Sequence, residues 1–147
     1  MVLRKASPKQ EASQSAGFTL VELLVVLAIL GLLVSIATPQ VIRYLGRAKT
    51  DVAKVQIQNL AATLDLYHLD VGRYPTQEEG LQALVTQPTG ADRWAGPYIK
   101  TAMALVDPWG APYGYRIPGE HGDYDLFSLG ADKALGGTGE NQDVGNW

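Results

Sequence analysis

The stretch "GFTLVELLVVLAILGLLVSIATP", Gly17–Pro39, decides how the rest of the chain is read. Phe18 to Thr38 is 21 residues long and carries one charge, Glu22; Leu23 to Ala37 carries none. As a helix rising about 1.5 Å per residue, it would span roughly 31 Å, close to the hydrocarbon thickness of a bilayer. A core helix of a soluble domain is the weaker reading, because such helices rarely run apolar on every face for this length. Glu22 is the anomaly. It stands one turn into the run, where a helix N-terminus favours negative charge, and an acid among packed apolar helices needs a cation.

Two readings of the segment compete. An ordinary secretory signal has a basic start, an apolar middle and small residues at the cut; Ser35-Ile36-Ala37 would place cleavage after Ala37. A retained anchor would keep the N-terminus in the cytoplasm, as the basic residues Arg4, Lys5 and Lys9 favour. Arg43, Arg47 and Lys49 follow on the other side, so charge counting alone does not choose. The length of the run and its acid speak against the ordinary signal.

A short basic leader ending in Gly17, then Phe18-Thr19-Leu20-Val21-Glu22, then the apolar run, resembles the class III signal of type IV pilins and pseudopilins. The resemblance implies a cut by prepilin peptidase between Gly17 and Phe18, before the apolar run. It also implies N-methylation of the new Phe18 amine by the same peptidase/methyltransferase, and retention of the helix. It implies a partner for Glu22 as well: the Phe18 amine of a neighbouring copy, a pairing that selects one stagger between subunits.

Past Pro39 the helical pattern resumes at once. Val41, Leu45, Ala48, Val52, Val55, Leu60, Leu64, Tyr67 and Val71 recur at steps of mostly three and four, the stripe of an amphipathic helix. One helix from Phe18 to about Asp70 is expected, with Pro39 as a joint and Gly72 beyond its end. A short helix near Gln77–Val85 follows, with Thr76 as its N-cap and Leu81, Leu84 and Val85 buried. Trp94 and Tyr98 should cover core. "DPWGAP" reads as a turn, "YGYRI" as a strand, "PGEHGD" as a hairpin loop and "YDLFSL" as a second strand. Alternation puts Tyr113, Tyr115 and Ile117 on one face, opposed by Tyr124 and Leu126.

Helix first and a small antiparallel sheet last is an α+β order. "DPWGAPYGYRIPGEHGDYDLFSLGAD" is similar to the major pseudopilin family of bacterial type II secretion, and the likeness runs from Gly17 to Trp147. It implies a pilin-like fold, with a long N-terminal helix (membrane half plus amphipathic half) packed on a small C-terminal antiparallel sheet. The domains would be a leader at 1–17, an assembly helix at 18–38 and a periplasmic domain at 39–147. It implies a single-pass inner-membrane precursor that becomes a homopolymer, a helical fibre in the periplasm driving folded exported proteins across the outer membrane. Minor pseudopilins and an inner-membrane assembly platform are the implied partners. A surface pilin for adhesion or motility is the rival within the family, and a secreted domain released after Ala37 the rival outside it.

The C-terminal segment "LGADKALGGTGENQDVGNW" has five glycines and the oxygen donors Asp132, Glu140, Asn141 and Asp143. Calcium takes six to eight oxygens from flexible loops; a solvated acidic tail is the alternative on composition alone. The spacing is no EF-hand, since Ala134 and Gly136 stand at ligand positions. The family resemblance implies a calcium ion held by Asp132, Asp143 and the Leu129 carbonyl, with Asn141 where an aspartate is frequent. The ion would replace a disulfide, which this cysteine-free chain lacks.

The balance of charge excludes other classes. The chain carries −3 overall, and Gly119–Trp147 holds six acids against Lys133. A nucleic-acid binder needs a basic face, so nucleic acid is not an expected partner. His68 and His121 are isolated, which speaks against zinc and for solvent-facing or capping roles. No phosphate loop, nucleophile elbow or acid pair is legible, and no enzyme is expected.

Overall fold

The computed structural model describes residues 17–147. The expected leader therefore lies outside the described residues except for Gly17. The chain divides into two units, Met1–Thr38 and Pro39–Trp147.

A single helix, α1, runs Leu20–Val71 and contains Pro39. Thr19 starts it: its Oγ1 accepts the Glu22 amide at 3.2 Å, and its carbonyl accepts the Leu23 amide at 3.2 Å. This is an N-cap, and an acid three residues on suits the positive end of the helix. Within the first unit the polar groups are turned back onto the helix. Ser35 Oγ donates to the Leu32 carbonyl and Thr38 Oγ1 to the Val34 carbonyl, each at 2.7 Å, so neither hydroxyl needs water. Gly72, at φ +88°, ends α1, its amide reaching the His68 carbonyl at 2.8 Å.

In the second unit α1 buries Gly46, Thr50, Ala53, Ile57, Leu60, Leu64 and Tyr67, at alternating steps of four and three. The expected stripe is corrected here. Its later members Leu60, Leu64 and Tyr67 are buried, but Val41, Leu45, Val52 and Val55 are 49–56 % exposed. Two apolar rows satisfy a three-and-four template over residues 41–57, and the protein's own core takes the row with the small residues. Gly46 shows why: the Glu140 side chain lies where a Cβ would stand.

The expected helix at Gln77–Val85 is a 3-10 turn, Gly80–Leu84. Thr76 is not its N-cap, because the segment starts four residues later, at Gly80, after Glu79. Thr76 instead closes the preceding turn, its Oγ1 accepting the Glu79 amide at 3.2 Å while Glu79 Oε2 accepts the Thr76 amide at 2.9 Å. Gly80 at φ +55° prevents an α-helix from continuing across it, and the Leu84 carbonyl is taken instead by the amides of Tyr98 and Ile99. Leu81 and Leu84 are buried and Val85 is half-buried. Trp94 does cover core, its Nε1 donating to the Ala83 carbonyl at 2.9 Å.

Three antiparallel strands follow in the order β1 (Gly114–Arg116), β2 (Asp125–Ser128), β3 (Val144–Gly145). Tyr115 pairs with Leu126, and Ser128 with Val144. The two expected strands are present but shorter. Tyr113, Tyr115, Tyr124 and Leu126 join the α1 face in one core, with Ile117 packed on its edge. Strand β3 was not expected: two residues give no alternation to read. The outer edge of β1 is closed by a side chain, since the Gln77 amide donates to the Tyr115 carbonyl at 2.9 Å and accepts the Ile117 amide at 3.0 Å. That plug denies the edge to another strand.

Candidate functional site

The first candidate surface is the N-terminal half of α1. Its apolar window has a mean hydropathy of 2.8 and no residue of it is buried. Gly17 and Phe18 precede the helix, exposed, with Phe18 at 84 %. Glu22 is exposed in the first turn, and among the described residues its carboxylate joins no ion pair. In the second unit the row Val41, Leu45, Val52 and Val55 is likewise apolar and exposed. Together with Ile42 and Pro108, Leu45 and Val52 line an apolar depression of about 390 Å³.

The second is the loop between β2 and β3, built from the core outward. Ser128 Oγ donates to Asp107 Oδ2 at 2.6 Å and accepts the Gly130 amide at 3.2 Å. Asp107 Oδ1 accepts the amides of Trp109 and Ala111 at 3.0 and 2.8 Å, fixing the turn at Asp107–Gly110. From this root the loop closes on itself through Ala131 N to the Glu140 carbonyl at 2.9 Å. Gly130, at φ +69°, has the Glu140 carbonyl where a Cβ would lie, so only glycine fits there.

The residues expected to hold calcium are only partly gathered. Leu129 and Asp143 line one small cavity of about 100 Å³. Asp132 and Asn141 are exposed and do not line it; Asp132 Oδ1 accepts the Ala134 amide at 3.2 Å. Asn141 ends the one-turn 3-10 segment Gly139–Asn141. Among the described residues no three Asp, Glu or His side chains cluster as a metal site. Asp143 is the member whose chemistry fits a hard cation. Its Oδ2 accepts the Gly136 amide at 2.8 Å, while Oδ1 is buried with no partner. A buried carboxylate oxygen left unpaired calls for a donor or an ion.

Sequence reasoning missed a third cluster. His121 stacks on Trp147 at 4.1 Å between centroids and 6° between planes, and its Nδ1 lies 3.2 Å from Asp125 Oδ2. Burial works to raise the Asp125 pKa, but the amides of Glu120 and His121 and the His121 ring outweigh it and hold it below the usual value. The contact joins residues 26 apart in sequence with no shared motif, so no local signal could have found it. The Asp107 turn was legible as a turn; its grip on Ser128 was not.

A long helix with an exposed apolar first half, its later half seated on a three-stranded antiparallel sheet, defines a pilin-like α+β subunit. Residues 40–147 match the family described as Type II secretion system (T2SS), protein G, and residues 12–38 match the prokaryotic N-terminal methylation motif. The chain belongs to the type II secretion system protein G family, and is a structural subunit of the pseudopilus rather than an enzyme. It is 47 % identical over 138 residues to the type II secretion system core protein G of Pseudomonas aeruginosa, covering 91 % of this chain and 96 % of that one. The corresponding protein of Vibrio cholerae is 43 % identical over 137 residues, covering 91 % and 92 %. The crystal structure of the major pseudopilin from the type 2 secretion system of enterohaemorrhagic Escherichia coli superposes with a TM-score of 0.57 at 38 % identity, covering 68 % of this chain and 87 % of that chain.

Proposed function

We propose that this chain is made as a single-pass inner-membrane precursor, leader inside and residues 39–147 in the periplasm. Prepilin peptidase cuts it between Gly17 and Phe18, and the Phe18 amine is methylated. Copies then leave the bilayer and pack their apolar helices into a periplasmic fibre that drives folded proteins across the outer membrane. The observation that carries this is the apolar window of α1, of membrane length and wholly unburied by its own chain. Apolar contact among copies replaces contact with lipid, so the segment need never meet water. The same contact repeated without closing generates a filament.

In this reading Glu22 accepts the methylated Phe18 amine of a neighbouring copy and sets the stagger. Pro39, which has no amide to donate, lets α1 break locally as copies crowd together. The exposed row Val41–Val55 extends the packing surface past the span. Leu129, Asp132, Asn141 and Asp143 hold calcium, whose charge would satisfy Asp143 Oδ1 and tie the loop to the end of β2. Minor pseudopilins and an inner-membrane platform start and feed the fibre. The intact mass of the mature protein tests the scheme: loss of 17 residues and gain of one methyl supports it, whereas loss of 37 residues, a secreted domain, ends it.

A further inference from the structure

The stretch of α1 just past the apolar run carries a cluster of cations to which the proposed assembly gives no role. Arg43, Arg47, Lys49 and Lys54 fall within twelve residues, offset only by Asp51, in a chain whose net charge is −3. All four are exposed. Among the described residues none joins an ion pair, the pairs there being Arg73–Glu79, Arg116–Glu120 and His121–Asp125. On an ideal helix Arg43, Arg47 and Lys54 share about 40° of arc, while Lys49 points well away from them. Lys49 lines the apolar depression beside Leu45 and Val52. Tyr44, among these cations, is 75 % exposed, and Ile42 is 57 % exposed.

We propose that Arg43, Tyr44, Arg47 and Lys49, with Lys54 behind them, form a collar that binds anionic phospholipid headgroups on the domain's side of the bilayer. The inference rests on the membrane-anchored reading above. Three observations favour lipid over a second copy as the counter-charge. The collar begins five residues after Thr38, next to the apolar run, where cations meet phosphates and long side chains can snorkel. An exposed tyrosine at that level matches the aromatic belt of membrane interfaces. Lys49 stands on a different side of the helix from the row of Arg43, Arg47 and Lys54, so one docked face would not cover all four, whereas surrounding headgroups reach both sides. The collar would hold unassembled subunits in anionic regions of the membrane, and entry into the fibre would require its phosphates to be shed.

The chain has no cysteine, so Ala48→Cys gives a single reporter inside the collar. The full mature chain, labelled there with a fluorophore, is reconstituted at low density in phosphatidylcholine vesicles and in vesicles with about one third phosphatidylglycerol. A trace of headgroup-quencher lipid, phosphatidylglycerol or phosphatidylcholine in type, reads local enrichment. Preferential quenching by the phosphatidylglycerol probe is expected, lost in high salt and weakened about fivefold for each cation removed in R43Q, R47Q, K49Q and K54Q variants. Arg43→Lys with Arg47→Lys should retain it. Equal quenching by both probes, or enrichment unchanged in the fourfold glutamine variant, would overturn the collar. So would quenching that follows protein density instead of lipid charge, which would assign the cations to a second copy. Resistance to alkaline extraction is read in parallel: loss of insertion refutes the anchored reading, whereas intact insertion without enrichment refutes the collar alone.

Discussion

Ser128 Oγ lies 2.6 Å from Asp107 Oδ2, and both side chains are buried. This bond joins the turn that enters β1 to the residue where the C-terminal loop leaves β2. Ser128→Ala would leave a buried carboxylate short of one donor and the Gly130 amide without its acceptor. Hydrogen bonds to charged groups contribute about 1.5–3 kcal/mol, so a loss of that size is expected in urea unfolding of residues 39–147. Asp107→Ala should cost more, because the amides of Trp109 and Ala111 lose their acceptor too. An unchanged urea midpoint for Ser128→Ala would remove the bond from the account of stability.

Calcium should act on the loop rooted at that bond. At a free concentration one hundredfold above Kd, bound calcium would stabilise the fold by about 2.7 kcal/mol. Chelator should therefore lower the melting temperature of residues 39–147, and excess calcium should restore it. Asp143→Asn halves the charge of the pair Asp132 and Asp143 and should make the melt insensitive to chelator. A midpoint that is the same with and without chelator in the unmodified chain would sink the calcium assignment.

Tyrosines set the alkaline limit. Burial first, and the nearby Asp107 charge second, push Tyr113 up to about 12. Burial also raises Tyr115 and Tyr124, with further contributions from neighbouring acids and phenols. The folded state thus holds the neutral phenol more tightly than the unfolded state, whose tyrosine pKa is about 10. The resulting stability is fully present below pH 10 and is lost as pH rises towards the folded values. Denaturant midpoints should fall steeply over that window. Tyr113→Phe, which also gives up a 2.5 Å bond to Gln56 Oε1, should be less stable at neutral pH yet lose less stability on going to high pH. A parallel fall in both proteins would show that Tyr113 does not titrate with unfolding.

What the sequence made legible follows the range of the forces involved. The apolar run, the Asp107 turn and the facing of Tyr115 and Leu126 are set by neighbours a few residues apart, and the pattern of side chains records them. The buried row of α1 over residues 46–57 was misassigned because Val41, Leu45, Val52 and Val55 offer the more apolar row, yet Gly46, Thr50 and Ala53 let the rest of the domain come closer. An apolar row left exposed makes physical sense only if something else covers it, so its exposure supports assembly. Strand β3 and the stacking of His121 on Trp147 depend on where the C-terminal loop returns, which no local spacing encodes. Among the expected calcium donors, composition identified Asp143, but the unpartnered state of its Oδ1 could be seen only in the fold.

Glu22 offers the sharpest test of assembly. Thr19 already caps the helix start through the Glu22 backbone amide, so the carboxylate is not needed to begin α1. Glu22→Ala and Glu22→Gln should therefore insert, be cut and be methylated as the unmodified chain is. In the fibre the consequence differs, because a neighbouring Phe18 amine would be left charged among apolar helices. Removing one partner of a buried ion pair costs about 3–5 kcal/mol, enough to disfavour each subunit addition by more than a hundredfold at about 1.4 kcal/mol per factor of ten. Both variants should accumulate as processed membrane monomers and give little fibre in sheared fractions. Glu22→Gln, which keeps the hydrogen-bonding oxygen but not the charge, should fail nearly as completely as alanine. Fibres of normal length and yield from Glu22→Gln would mean that stagger is set by packing of the apolar faces and not by the pairing of Glu22 with the mature N-terminus.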